Sequence, residues 1–313
     1  MKKITVLFLA VTVLLLAFSC ASSPTPPSGL ENPGKGPAVT AEIPELFSPD
    51  PDIPDDTITI AIKVEHVVPI KDWSIQIQPN RRQSGQAATQ TTAGSTAGTT
   101  EERQPRRQSG ERRSFFEQNG TGDVPSAWKW NGKGLSGEMV QSAMDYRFTL
   151  SVKDIFDNNT TFEGIISTDV LVRREGDILR IIVPSIVFQG NSANFINVFG
   201  DEITDDIIRS NRRILSLIAR ALNRFDGYRI TVEGHTNPGQ PLGTPARTRE
   251  NTANLPISEQ RARAVVDYLV NNNNINRSRL TAVGMSATRT ITEDYNNDDE
   301  SWKNRRVEFI LQR

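Results

Sequence analysis

Arg261, in "PISEQRARAVV", is a cation where the local pattern calls for the opposite charge. The sequence predicts a helix with Ser258 as its N-cap and Glu259 in its first turn, which puts Arg261 in that turn as well. Backbone N–H groups there lack partners, and the helix dipole favours anions. Arg261 also lies about 100° around the helix from Ala262. It therefore borders the apolar stripe Ala262, Val265, Val266, Leu269 and Val270. A planar guanidinium binds a carboxylate through two parallel hydrogen bonds.

A second feature converges on the first. In "YRITVEGHTNPGQ", Ile230 and Val232 alternate with Thr231 and Glu233 as a strand does. The pattern then stops, and Gly234, His235, Thr236 and Asn237 lead into a Pro-Gly turn. These residues either close the turn or hold something. The chemistry on offer is a carboxylate-bearing ligand between this loop and the Arg261 helix. The alternative is an internal pair of Arg261 with Glu259 or Asp267. Other reactive types point to no catalysis. There is no His-Glu-x-x-His, no Gly-x-Ser-x-Gly and only one cysteine, and the two histidines, His66 and His235, are far apart. Both read as structural, and neither has a partner at metal-ligand spacing. Arg305 and Arg306 read as structural pairs, and Trp128 and Trp130 as core aromatics. No enzyme, cofactor or metal site is expected.

The elements that must position these residues alternate. Leu179 to Phe188 reads as a strand. Thr204 caps a helix with Asp205 and Asp206 in its first turn and Ile207, Ile214, Ile218, Leu222 and Phe225 as its stripe; Gly227 ends it. The Tyr228 strand, the Ser258 helix stopped by "NNNN" at 271–274, and strands at Arg279 to Gly284 and Arg306 to Leu311 complete the order. This is βαβαββ, an α/β sandwich with helices on one face of a mixed sheet. "VEGHTN", "NLPISEQRARAVVDYL", "NRSRLTAVGMSA" and "NRRVEFIL", in that order over 178–313, resemble the OmpA-like C-terminal domain. That peptidoglycan-binding family includes the peptidoglycan-associated lipoprotein and flagellar stator proteins. The resemblance implies non-covalent binding of the peptidoglycan stem peptide. In the family, an Asp after Gly-His-Thr and an Arg in Leu-Ser-x-x-Arg-Ala grip the diamino acid of the stem. The Arg carries over to Arg261, with Ile257 in place of Leu. The Asp does not, because Asn237 stands there. Asn254 fits the family's Asn three residues before the Leu position. The implied binding set is Arg261, Asn237, Thr236, His235, Asn254 and Ser258. Asn237 implies roughly tenfold weaker binding, or a different diamino acid. The segment from Pro238 to Pro256 reads as a lengthened link beside the cleft.

Upstream, 57–172 reads as a second domain. "PSAWKWNGKGLSGEMV" and "YRFTLSVKDIFDNN" resemble Ig-like modules related to the flagellar-hook capping protein, with Asn131 where Asp is usual and Asp157 where Gly is usual. That implies an all-β spacer or contact module, a β-sandwich without chemistry. Residues 80–113 interrupt it with a polar insert of about +4, which reads as disordered. The N-terminus reads as a signal peptide over 1–19: a positive "MKK", an apolar run from Ile4 to Phe18, then Ser19 and Cys20. Ala17 and Ser19 resemble a bacterial lipoprotein signal, which implies that Cys20 is lipidated, palmitate included. Residues 20–56, rich in Pro, Gly and Asp, read as a tether. Without Lys2 and Lys3 the net charge is about −3, which excludes a nucleic-acid partner.

The resulting expectation is an outer-membrane lipoprotein with its folded domains in the periplasm. It joins membrane lipid, through Cys20, to the stem peptide. The alternative is an envelope scaffold whose wall site is weakened, using the β-module and basic insert to bind another envelope protein.

Overall fold

The computed structural model describes residues 29–49, 56–80 and 114–313. The expected signal peptide, Cys20 and nearly all of the polar insert lie outside the described residues. No helix among the described residues is long and apolar enough to cross a membrane.

The N-terminal half is all-β. Strands β1 (Ala38–Glu42), β2 (Ile58–Glu65) and β5 (Ala127–Trp130) form one antiparallel sheet, in the order β1-β2-β5. Strands β4 (Phe116–Thr121), β3 (Ile70–Pro79), β6 (Asp145–Asp154) and β7 (Asn159–Ser167) form the other, in the order β4-β3-β6-β7. Period-two patterning builds the shared core. Tyr146, Phe148, Leu150 and Val152 of β6 are all buried, and they meet Ile58, Ile60 and Ile62 of β2 and both β5 tryptophans. The indole N–H of Trp128 donates to Gln118 Oε1 and that of Trp130 to the Lys133 carbonyl, both at 2.9 Å. Both rings are core aromatics with their polar atoms paired.

β1 falls inside the segment that the sequence reads as a tether. Its residues Val39 and Ala41, with Ile43 beyond it, pack on this core, and Phe47 is buried in it. The flanking prolines and aspartates obscure a short strand that needs β2 for its hydrogen bonds. Asp157 has φ of 65°, the left-handed region that glycine enters at least cost.

The C-terminal half is a five-stranded mixed sheet. Its strands are β8 (Arg173–Glu175), β9 (Ile178–Val183), β10 (Arg229–His235), β11 (Leu280–Ser286) and β12 (Val307–Gln312), in the order β11-β10-β12-β9-β8. Only β10 and β11 run parallel. Helices α1 (Asp205–Asn223) and α2 (Pro245–Asn273) pack on one face. Leu179, Ile181, Val183, Ile230, Val232, Val307, Phe309 and Leu311 alternate onto that face, where they meet Ile214, Ile218 and Leu222 of α1 and Val265, Val266 and Leu269 of α2.

Thr204 caps α1 as expected, its hydroxyl accepting from the Ile207 N–H. The helix ends at Asn223, earlier than Gly227 suggests. α2 departs more. It starts at Pro245 with Thr244 as N-cap, so Ser258 is not a cap and Arg261 is not in the first turn. A Thr-Pro start is a strong signal, since proline at the first helical position gives up only an N–H that has no helical partner. Pro256, which reads as a boundary, lies inside the helix and leaves the Thr252 carbonyl without its usual donor. Asn274, in the left-handed conformation, terminates α2.

Candidate functional site

Strand register gathers the candidate loops. Gly234 pairs with Gly284 on one side and Val307 on the other, and Val307 pairs with Val183. The segments after β9, β10 and β11 and the segment before β12 therefore leave one edge of the sheet together. α2 is pressed onto this region by two glycines. A methyl group at Gly234 would run into the Ser258 carbonyl, and one at Gly284 would lie 2.7 Å from the Leu255 carbonyl and from Ser258 Oγ.

Arg261 projects from the middle of α2 into the segment after β9. Its Nε donates to the Ser192 carbonyl at 3.0 Å and its Nη2 to the Gln189 carbonyl at 3.2 Å. Its guanidinium lies 5.1 Å from the centre of the Phe188 ring. Neither expected internal partner holds it: Glu259 pairs with Arg263 at 2.5 Å, and Asp267 is exposed on the helix. Burial lowers the Arg261 pKa from its ordinary value, and the nearby Arg305 lowers it further. Half-buried, Arg261 has two neutral oxygens for company, and no carboxylate among the described residues forms an ion pair with it.

Asn237 is committed at both ends. Its Oδ1 accepts from Asn304 Nδ2 at 2.9 Å, and its Nδ2 donates to the Tyr295 carbonyl at 3.2 Å. Asn304 Oδ1 in turn accepts from the Ile291 and Thr292 N–H groups, so this amide pair pins the segment between β11 and β12. Arg247, which the sequence did not single out, ties the same loops. It is 2% exposed and donates to the Gln240 carbonyl at 2.6 Å and the Ala287 carbonyl at 2.9 Å.

The remaining candidates scatter. Ser258 is fully buried between α2 and β11, where its Oγ accepts from the Ser286 N–H at 3.0 Å. Asn254 is half-buried in the first part of α2. Thr236 is buried, with its hydroxyl unpaired. His235 points to the sheet face opposite the helices. It is buried against Glu233 (3.4 Å) and Glu308 (3.7 Å).

That opposite face holds an ionic cluster. Arg289 pairs with Glu233, Arg306 with Glu308 at 2.5 Å, and Arg180 bridges Glu308 and Glu175 at 2.5 and 2.7 Å. Burial raises the Glu308 carboxyl, but Arg306, His235 and Arg180 outweigh it and hold the group below its ordinary range. Burial likewise pushes His235 down. Glu233, His235 and Glu308 lie close enough to share a cation. Three guanidinium groups already compensate the three carboxylates of Glu175, Glu233 and Glu308, so the arrangement is a neutralised ion network. Arg306 is thus a structural pair, as the sequence suggested.

Residues 201–305 match the OmpA family. The peptidoglycan-binding protein ArfA of Mycobacterium tuberculosis, and that of Mycobacterium bovis, is 29% identical over 105 residues, 34% of this chain and 29% of ArfA. The chain thus spans under a third of the length of these relatives. Among solved structures, a putative MotB-like protein from Desulfovibrio vulgaris is 23% identical, with 46% of this chain and 79% of that one covered and a TM-score of 0.34. For the cell wall anchor of the T6SS from Pseudomonas aeruginosa the values are 24%, 46%, 87% and 0.32. With α1, β10, α2 and β11 inside the matched span, residues 201–305 of this chain are an OmpA family domain.

Proposed function

We propose that this chain is a non-catalytic cell-envelope lipoprotein that ties the outer membrane to peptidoglycan. Lipid on Cys20 is the membrane anchor. The OmpA family domain holds the stem peptide non-covalently, with Arg261 taking one of its carboxylates. The all-β half, read as an Ig-like module, is the spacer between them. The observation that carries this reading is the electrostatic state of Arg261: a half-buried cation with two carbonyl partners and a second arginine nearby. Neutral oxygens satisfy its protons but not its charge, and an incoming carboxylate supplies both. Individual contacts can be weak, because the lipid anchor keeps the domain at high effective concentration near the wall.

The engagement of Asn237 by Asn304 and Tyr295 favours a second reading. In it the wall site is weakened and the chain is a scaffold for another envelope protein.

Co-sedimentation of the chain with purified sacculi separates the two. The parent is retained and Arg261→Ala is not, while its urea midpoint stays near the parental one. Equal retention of parent and variant refutes the first reading, and absence of retention in both supports the second.

A further inference from the structure

A groove of about 290 Å³ runs between residues 193–197 and the last turns of α2. This is close to the ~300 Å³ at which small-molecule clefts begin. It starts where the Arg261 contacts end: Ala193 follows Ser192, whose carbonyl Arg261 holds, and Ala264 lies about one turn along α2. Its lining includes Phe195, Asn197, Asp267, Tyr268, Asn271 and Asn272.

The lining chemistry is specific. Phe195 is buried and holds Tyr268 edge to face, with ring centres 5.9 Å apart. Tyr268 is half-buried, so a hydroxyl and part of an aromatic ring border the groove. Asn197, Asp267, Asn271 and Asn272 are exposed, and none of their side chains makes a hydrogen bond among the described residues. Each amide offers two donors and an acceptor, and the carboxylate accepts from two adjacent hydroxyls. No lysine or arginine lines the groove, which disfavours phosphate and other anions. The lining combines the apolar Ala193, Ile196 and Ala264 with amide and carboxylate ends, which suits the C–H and hydroxyl faces of a sugar.

We infer that this groove is a subsite for an uncharged, N-acetylated glycan. Pyranose C–H groups would rest on Tyr268, and the amides and Asp267 would read hydroxyl and acetamido groups. The inference rests on the proposed wall binding and extends it. The glycan strand of peptidoglycan is covalently joined to the stem, so a ligand anchored at Arg261 brings sugar to the mouth of this groove.

The test uses the full chain, a soluble uncharged N-acetylglucosamine tetrasaccharide as the glycan probe, and free stem tetrapeptide, each titrated separately. The parent binds both. Asp267→Ala combined with Asn271→Ala removes two exposed side chains without touching the core. It weakens glycan binding about tenfold or more, the loss expected for two hydrogen bonds, and leaves tetrapeptide binding unchanged. Arg261→Ala weakens tetrapeptide binding by about tenfold or more. Tetrapeptide binding without glycan binding in the parent overturns the subsite, and so does glycan binding that the double substitution leaves intact. Glycan binding without tetrapeptide binding upholds the subsite and overturns the Arg261 reading.

Discussion

Asn237→Asp restores the residue that the family resemblance leads one to expect, and the structure gives its effect two opposed parts. In the unliganded chain the substituted Oδ1 still accepts from Asn304, now as a charge-assisted bond. Taking neutral bonds at about 1 kcal/mol and charged ones at about 2, this gains about 1 kcal/mol. The other oxygen replaces an amide that donated to the Tyr295 carbonyl. That bond, worth about 1 kcal/mol, is lost, and a carboxylate oxygen then faces a carbonyl oxygen in a half-buried place, costing about 1–3 kcal/mol more. The variant should therefore be less stable than the parent by about 1–3 kcal/mol at pH 7. For a stem peptide that presents an ammonium group here, the new charge adds about 1–1.5 kcal/mol to binding, roughly tenfold. Urea unfolding at pH 7 measures the first effect and titration with stem tetrapeptide the second. The expected signature is lower stability with tighter binding. A variant as stable as the parent would refute the clamp by Asn304 and Tyr295. Binding unchanged in a folded variant would show that no ligand cation reaches residue 237.

Three further outcomes follow from the packing. Burial holds His235 below its ordinary 6.5; burial raises Glu233 and Glu308, but the His235 contact and Arg289 hold Glu233, and Arg306, His235 and Arg180 hold Glu308, below 4.5. The unfolded chain then binds protons that the native one refuses, so the urea midpoint falls as pH drops below about 6.5, and further as it passes down through the range where the two carboxyls titrate; His235→Gln should remove the first part of that decline. Gly234→Ala places a methyl against the Ser258 carbonyl of α2, an obstacle that is backbone, and should lower stability by about 2–3 kcal/mol in urea unfolding. Ser258→Ala leaves the buried Ser286 N–H without its acceptor and should cost about 1–3 kcal/mol by the same measurement.

What the sequence made legible was local. The Thr204 cap, the stripe of α1, the asparagine stop of α2 and the alternation in β6 are all written within a dozen residues of where they act. Harder to read were features whose cause lies elsewhere in the chain. Pro256 looks like a boundary because proline usually is one. It is carried inside α2 by a helix that starts at Thr244-Pro245 and is held to the sheet at Gly234 and Gly284. Glu233 and Glu308 are charged residues buried in their strands. They are buried because Arg289 and Arg180 arrive from 56 and 128 residues away in the chain and, with Arg306 two residues from Glu308, complete the network. Arg261 was found by its type and motif, but the helical turn assigned to it was wrong. Its partners at Gln189 and Ser192 lie in a segment with no periodicity to announce them.

The alignment of Val183, Gly234, Gly284 and Val307 across one line of the sheet has an evolutionary consequence. Insertions or deletions in the connectors past Thr236 and Ser286 leave strand pairing untouched. The connectors can therefore diversify, by exchange between related proteins, while the scaffold beneath them stays fixed.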